Sequence, residues 1–305
     1  MTNITASLVK ELRDKTGAGM MDCKNALNEN NGDIESSIDW LRTKGLAKAA
    51  KKSGRTASEG LIVVSSSDDY ISILEVNSET DFVARNETFQ EVARNIGLSS
   101  LLSDDIDSLN DLNITGKDIS VKDYITEMIA SIGENINLRR MKRLSMSDAY
   151  VSSYIHGQVS DGLGKIGVLV SLKSDLDKDI LDDIGKKIAM HIAATNPISI
   201  NIDDIPSDVL EREKNILIEE ARESGKPEEI IEKMIGGRLK KYYQESVLLE
   251  QTFVIDGESK VSEILNSLDS PIEINDFVRF ELGEGIEKSD GDDFASEVDS
   301  MISGN

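Results

Sequence analysis

Leu61-Ile62-Val63-Val64, the polar stretch from Ser65 to Asp69, and Tyr70-Ile71-Ser72-Ile73-Leu74-Glu75-Val76 read as a β-hairpin, because two runs rich in β-branched residues flank a cluster of turn formers. Downstream, Phe89, Val92, Ala93 and Ile96 recur at helical spacing. The pattern returns about ninety residues later in Tyr154-Ile155-His156, a turn from Ser160 to Lys165, and Ile166-Gly167-Val168-Leu169-Val170, followed by Ile184, Ile188, His191 and Ile192 at helical spacing. A hairpin followed by a helix, twice over, implies an α+β fold with two related core subdomains, over residues 61–140 and 141–280. A variable acidic segment near Ser103 to Lys117 and a helix from about Val121 to Gly133 lie between them.

Upstream, residues 1–45 read as a small domain of three short helices, carrying Leu8, Val9 and Leu12, then Ala26 and Leu27, then Ile34, Ile38 and Leu41. Gly17, Gly19 and Gly32 fall where turns are needed, and Asp33 is a cap for the third helix. Lys44, Lys48, Lys51, Lys52 and Arg55 form a basic island in small residues, read as a mobile linker over 46–60. Downstream, residues from about 207 to 250 read as an inserted, projecting antiparallel helical hairpin. Gly225-Lys226-Pro227 separates its arms, and Gly236-Gly237 suggests a bend in the second. A last strand pair is expected near Phe253 and Phe277 to Phe280. Residues 281–305 form a C-terminal module with one amphipathic helix carrying Phe294, Val298 and Met301.

With 305 residues the chain calls for more than one packed unit. Its 39% hydrophobic content permits a core, and its 4% aromatic content makes that core aliphatic. A net charge of −23 repels phosphate backbones, which argues against direct nucleic-acid binding. One cysteine, Cys23, excludes an internal disulfide, and two histidines leave little for a metal cluster. No apolar run reaches the roughly 20 residues of a membrane span, so a cytoplasmic protein with no membrane partner is expected. No cofactor is called for.

Gly162-Leu163-Gly164-Lys165-Ile166-Gly167 matches the spacing of a dinucleotide fingerprint, but it precedes a strand instead of opening a helix and reads as a hairpin turn. No phosphate-loop sequence is present, and no nucleophile-base or metal constellation points to an enzyme. His156 and His191 sit in apolar surroundings and read first as packed structural residues. Met20-Met21 are adjacent on one helix, so both cannot face inward equally and at least one is exposed.

Thr80-Asp81-Phe82-Val83 sets a carboxylate beside a large ring just after the first hairpin. Thr80 is suited to cap a helix start, and Asp81 to the positive end of its dipole. In one unbroken helix from Asp81 to Ile96, Phe82 would share the stripe of Phe89 and be ordinary core; by pattern alone that reading leads.

Thr80-Asp81-Phe82-Val83-Ala84 resembles the signature of the bacterial elongation factor Ts family, nucleotide exchange factors for the GTPase elongation factor Tu. The resemblance extends to Leu8-Val9-Lys10-Glu11-Leu12-Arg13, to Thr16-Gly17-Ala18-Gly19-Met20-Met21-Asp22-Cys23-Lys24 and to Ile132-Gly133-Glu134-Asn135-Ile136-Asn137. It returns at Met190-His191-Ile192-Ala193-Ala194, at Gly225-Lys226-Pro227 and at Phe280-Glu281-Leu282-Gly283-Glu284-Gly285-Ile286-Glu287. It implies a ubiquitin-associated (UBA-like) type of first domain, elongation factor Tu as partner in its GDP-bound and nucleotide-free forms, and a role for Thr80, Asp81, Phe82 and Val83 in wedging the partner and dislodging its magnesium. It also implies partner contacts at Arg13, Met20, Met21, Lys24, Lys52, Ile132, Gly133, His156, Val254 and Ile255. The projecting hairpin is a candidate contact for the partner or a second copy of the chain. The alternative is a noncatalytic scaffold or chaperone-like adaptor that uses the small domain and the hairpin for separate partners.

Overall fold

The computed structural model describes residues 4–16, 18–223 and 228–287. The chain opens with three helices, α1 (Ala6–Thr16), α2 (Met20–Glu29) and α3 (Ile34–Lys52). Leu12, Cys23, Ala26 and Leu27 are buried among them, with Ile34, Ile38 and Leu41 packed alongside. The Asp33 carboxylate caps α3 by accepting the Ser36 N–H at 2.8 Å, satisfying one of the amides a helix start leaves free.

The first hairpin pairs β1 (Glu59–Ser66) with β2 (Tyr70–Ser78), Leu61 opposite Val76 and Val63 opposite Leu74. Helices α4 (Asp81–Ala84), α5 (Glu87–Ser100), α6 (Ile106–Asp111) and α7 (Val121–Ile132) follow, and β3 (Ile136–Ser145) returns beside β2. The second hairpin pairs β4 (Tyr150–His156) with β6 (Ile166–Lys173); between them β5 (Leu163–Gly164) crosses to β1. After α8 (Lys178–Thr195) come the hairpin arms α9 (Ser207–Glu223) and α10 (Glu228–Ser246), then α11 (Val261–Asn266) and β7 (Glu273–Glu281), which pairs with β6. The sheets run β3-β2-β1-β5 and β4-β6-β7, every pairing antiparallel.

The near-continuous apolar runs of the central strands follow from cover on both faces. Leu61, Val63, Leu74 and Val76 point at α5 and α7, around Phe89, Ile96, Val121 and Ile129. The alternate residues Ile62, Ile71 and Ile73 meet Val151 and Leu169 of the other sheet. On that sheet's far face Val168, Val170 and Leu172 pack on Ile184, Ile188 and Ile192 of α8. Gly167 lets the sheets approach: a Cβ there would lie 2.7 Å from Ile62 Cγ2 and 2.8 Å from Ile73 Cδ1. Glu75 ties them further. Its buried carboxylate accepts Arg140 Nε at 2.7 Å, Gly283 N at 2.8 Å and Asn77 Nδ2 at 2.9 Å, and pairs with Arg139 at 3.1 Å. The segment after β7 is thereby fastened to the first sheet.

Three expectations need correction. The basic island is no linker over residues 46–52, because α3 continues to Lys52. Ala47, Ala49 and Ala50 favour helix strongly, and Gly45 lies against α7, where a Cβ would be 3.3 Å from that of Ala130. Two of its charges have acidic partners: Lys48 meets Asp22 at 2.9 Å and Arg55 meets Glu79 at 3.3 Å. The Ser160–Lys165 turn contains a strand, β5, that stitches the second hairpin to the first sheet, with Gly162 at φ 72° ahead of it. Phe253 lies in a loop, its N–H on Ser259 O at 2.8 Å and its ring buried, so β7 pairs with β6 and not with a strand at Phe253.

Helices α9 and α10 pack on each other around Leu217, Ala221 and Ile231, and Arg238 reaches Glu220 at 2.6 Å. Gly17, the Gly225-Lys226-Pro227 turn and the terminal helix with Phe294, Val298 and Met301 lie outside the described residues.

Candidate functional site

The strand-to-helix turn after β2 decides how Phe82 is used. The helical stripe is broken at Arg85-Asn86, since Asn86 adopts extended backbone (φ −75°, ψ 130°) and its side-chain oxygen accepts the Thr88 N–H at 2.8 Å. That cap starts α5 afresh. Phe89 is consequently 0% exposed in the core while Phe82 is 77% exposed. Ala84 is buried and Val83 packs on the same core, so the single turn of α4 is anchored on one side and holds the Phe82 ring outward on the other. Asp81 accepts Arg85 NH2 at 2.8 Å. Both groups are well exposed, and such a pair contributes little and is readily exchanged for a partner's group.

Thr80 does not cap α4 with its hydroxyl. The hydroxyl donates instead to Glu134 Oε1 at 2.7 Å, and the Thr80 N–H donates to Glu134 Oε2 at 3.0 Å. Glu134 follows Ile132 and Gly133, where α7 stops as Gly133 takes φ 87°. The structure therefore brings the Thr80 turn and the Ile132-Gly133 helix end together. Glu79 answers from the other side by accepting the Asn135 N–H at 2.6 Å. Sequence reasoning assigned no role to Glu79, Glu134 or Asn135. Glutamates flanking both junctions were the available signal.

The remaining candidates lie elsewhere on the surface. Met20 and Met21 are both exposed on α2, because Cys23, Ala26 and Leu27 supply its inner face. Arg13 and Lys24 are exposed and Lys52 is half-buried at the end of α3; at the Thr80 turn itself, Ile132 is half-buried beside exposed Gly133. Val254 and Ile255 are exposed in a loop held from beneath by His191, whose Nδ1 accepts the Val254 N–H at 3.2 Å. Nε2 of that ring must then carry the proton and donate to Gln251 Oε1, 2.9 Å away. Burial pushes the His191 pKa down, against a smaller upward pull from Gln251. His191 is a packed structural residue. His156 is exposed, not in apolar surroundings, since it closes β4 at its solvent end; its Nδ1 lies 3.2 Å from the Tyr154 hydroxyl.

Among the described residues no group of three or more His, Cys, Asp or Glu is placed to hold a metal ion. No described helix is long and apolar enough to cross a membrane.

The sequence model of the family described as Elongation factor TS matches residues 79–284, from the Glu79 of this turn to the Glu284 beyond β7. The chain belongs to the elongation factor Ts family. It is 53% identical over 309 residues to the elongation factor Ts of Allorhizobium ampelinum and to that of Parvibaculum lavamentivorans, covering 100% of each chain in both comparisons. It is 52% identical over 306 residues to that of Rhodospirillum centenum, covering 99% of both chains. As a member of the elongation factor Ts family, the protein is a translation elongation factor.

Proposed function

We propose that this protein is a guanine-nucleotide exchange factor that binds elongation factor Tu in its GDP form and speeds GDP release, so that GTP can rebind. The observation that carries the reading is Phe82: a large ring 77% exposed on a single helical turn whose neighbours are anchored in the core. An exposed aromatic on a rigid mount is the kind of residue that anchors an interface by filling a pocket. In this reading Phe82 inserts between helices of the partner's GTPase domain. Asp81 perturbs the groups that hold the nucleotide-bound magnesium, and Thr80 and Val83 hold the turn that presents both. The magnesium is the partner's, and this chain uses no cofactor. Once the cation is displaced, the phosphates lose their main charge neutralisation and the nucleotide leaves faster.

The factor must bind the open, nucleotide-poor state of its partner more tightly than the closed one, since a ligand shifts an equilibrium only by its differential affinity. Linkage makes the effect reciprocal, so nucleotide weakens the factor as the factor weakens nucleotide. Ile132 and Gly133 join the contact at the same turn. Arg13, Met20, Met21, Lys24, Lys52, His156, Val254 and Ile255 supply contacts elsewhere. No bond is made or broken by this chain, so it is not an enzyme.

The first three helices form a UBA-like domain ahead of the two core subdomains, and the α9–α10 hairpin is a candidate contact for a second copy. The charge of −23 supports a protein partner in preference to direct nucleic-acid contact, and the site of action is the cytoplasm. The test is stopped-flow release of fluorescent GDP from purified elongation factor Tu at several magnesium concentrations. Acceleration by the wild type, reduced in folded Asp81→Ala and Phe82→Ala, supports the mechanism. A well-folded wild type that leaves GDP release unchanged rejects it and puts the adaptor reading first.

A further inference from the structure

The turn carrying Asp81 and Phe82 is gripped across the sheet by a carboxylate to which the exchange mechanism gives no task. Strands β2 and β3 run antiparallel until Ser78 stands opposite Ile136, where their backbone ladder ends. Side chains continue it. Glu134 accepts the Thr80 N–H at 3.0 Å and the Thr80 hydroxyl at 2.7 Å, one on each oxygen. Glu79 accepts the Asn135 N–H at 2.6 Å in return. Arg55 closes the outer side, its guanidinium 3.3 Å from Glu79 and its carbonyl accepting Asn135 Nδ2 at 2.8 Å. The Ser78 hydroxyl adds a bond to Thr80 O at 3.1 Å.

Two charge-assisted bonds to adjacent donors on one residue fix its orientation as well as its position. That residue, Thr80, is the one from which α4 departs. A helix of a single turn has no stability of its own, because nucleation is unfavourable. Its direction is therefore set by its attachments, Val83 and Ala84 in the core and Thr80 on Glu134.

We infer that Glu134 is a positioning residue for nucleotide exchange: its two oxygens hold Thr80 so that Asp81 and Phe82 reach the partner already oriented, and it acts through them. The inference rests on the exchange-factor reading and deepens it. An ordered turn spares the complex the ordering cost that a loose segment meets on docking. Glutamine at 134 keeps the shape but not the charge: its carbonyl accepts the Thr80 N–H, the Thr80 hydroxyl must turn to accept from its NH2 group, and both bonds lose their charge assistance.

The experiment uses the full chain with Glu134→Gln and has two arms. Without partner, hydrogen exchange of the Thr80 amide, which Glu134 holds, should quicken by roughly tenfold, the charge assistance lost from the two bonds, while the β2 and β3 amides and the thermal midpoint stay near wild type. With elongation factor Tu, GDP release is measured for wild type, Glu134→Gln, Phe82→Ala and the double variant. Glu134→Gln should slow release about tenfold in the wild-type background but less than about threefold where Phe82 is already alanine, since residues that act as one unit are non-additive. Unchanged hydrogen exchange, or losses that multiply in the double variant, overturns the proposal while wild-type acceleration leaves the exchange reading intact. A wild type that does not accelerate release overturns both.

Discussion

Replacing Phe82 and Phe89 in turn by alanine tests the site where pattern and structure part company. The two residues are chemically identical and a heptad apart, yet one is 77% and the other 0% exposed. Full burial of a phenylalanine side chain is worth roughly 1.5–3 kcal/mol. With 77% of Phe82 in water, only about a quarter of that is realised in the free protein, so Phe82→Ala should lower stability by less than about 0.7 kcal/mol. Phe89→Ala leaves a cavity among Val92, Ile96 and Leu61, and costs about 3–5 kcal/mol. In exchange the order inverts. If a groove on elongation factor Tu covers the remaining 77% of the ring, roughly 1.2–2.3 kcal/mol is lost with it, or about seven- to fiftyfold in exchange efficiency. Urea unfolding followed by circular dichroism reads the first quantity, and stopped-flow GDP release with catalytic amounts of factor reads the second. A Phe82→Ala protein as destabilised as Phe89→Ala, or one that is folded and fully active, refutes the reasoning.

Glu75 should make the fold acid-sensitive. Burial pushes its carboxyl up, but the hydrogen bonds from Asn77, Gly283 N–H and Arg140, with the charge of Arg140, outweigh burial and hold it below its ordinary 4.5. Its contribution is therefore complete above about pH 4.5 and lost as pH falls through the lower folded value. Glu75→Gln should flatten that acid limb in urea titrations and cost roughly 3 kcal/mol at pH 7, by leaving Arg139 without its carboxylate and Arg140 with Glu284 alone. His191 acts in a higher window: its folded pKa lies below 6.5, so the unfolded chain takes up a proton first as pH falls. Stability should decline from about pH 7 towards 5, and His191→Gln should weaken that slope. Gly97→Ala would place a Cβ 2.5 Å from Ser65 Oγ and 2.7 Å from Val63 Cγ1, so it should destabilise by about 1–3 kcal/mol. Gly236→Ala and Gly237→Ala meet open space in α10 and should each stabilise that helix by roughly 1 kcal/mol, seen as a raised thermal midpoint.

The hairpin-and-helix repeat was legible because strand and helix periods differ and the runs are long. Periodicity failed at Phe82 because one capping residue, Asn86, overrides a stripe that otherwise continues through it. Its signal was local: asparagine followed at once by Glu87, an acidic group in the new helix's first turn. Strand β5 was invisible, two residues being too few to show a period. The Glu134–Thr80 contact spans 54 positions and obeys no local rule. The misread linker teaches the reverse lesson. A run of lysine and alanine was taken for solvated chain on its charge, when its helix propensity was the better guide.

That correction changes what the first three helices can contribute. A mobile linker would leave Met20 and Met21 to be ordered by the partner, at an entropic cost. Instead α3 lies along α7, with Gly45 against Ala130 and Arg42 on Asp123 at 2.7 Å, while Lys48 holds Asp22 of α2. Both helices end at the clamp beneath Phe82: α7 through Gly133 into Glu134, and α3 through Ser53 and Gly54 to Arg55, which binds Glu79. The α2 surface and the Asp81-Phe82 turn are thus carried on the same pair of packed helices. On the exchange-factor reading, a partner that engages both meets them already in register, and a substitution in the α3–α7 seam should slow GDP release without touching either surface, which the same stopped-flow assay would read.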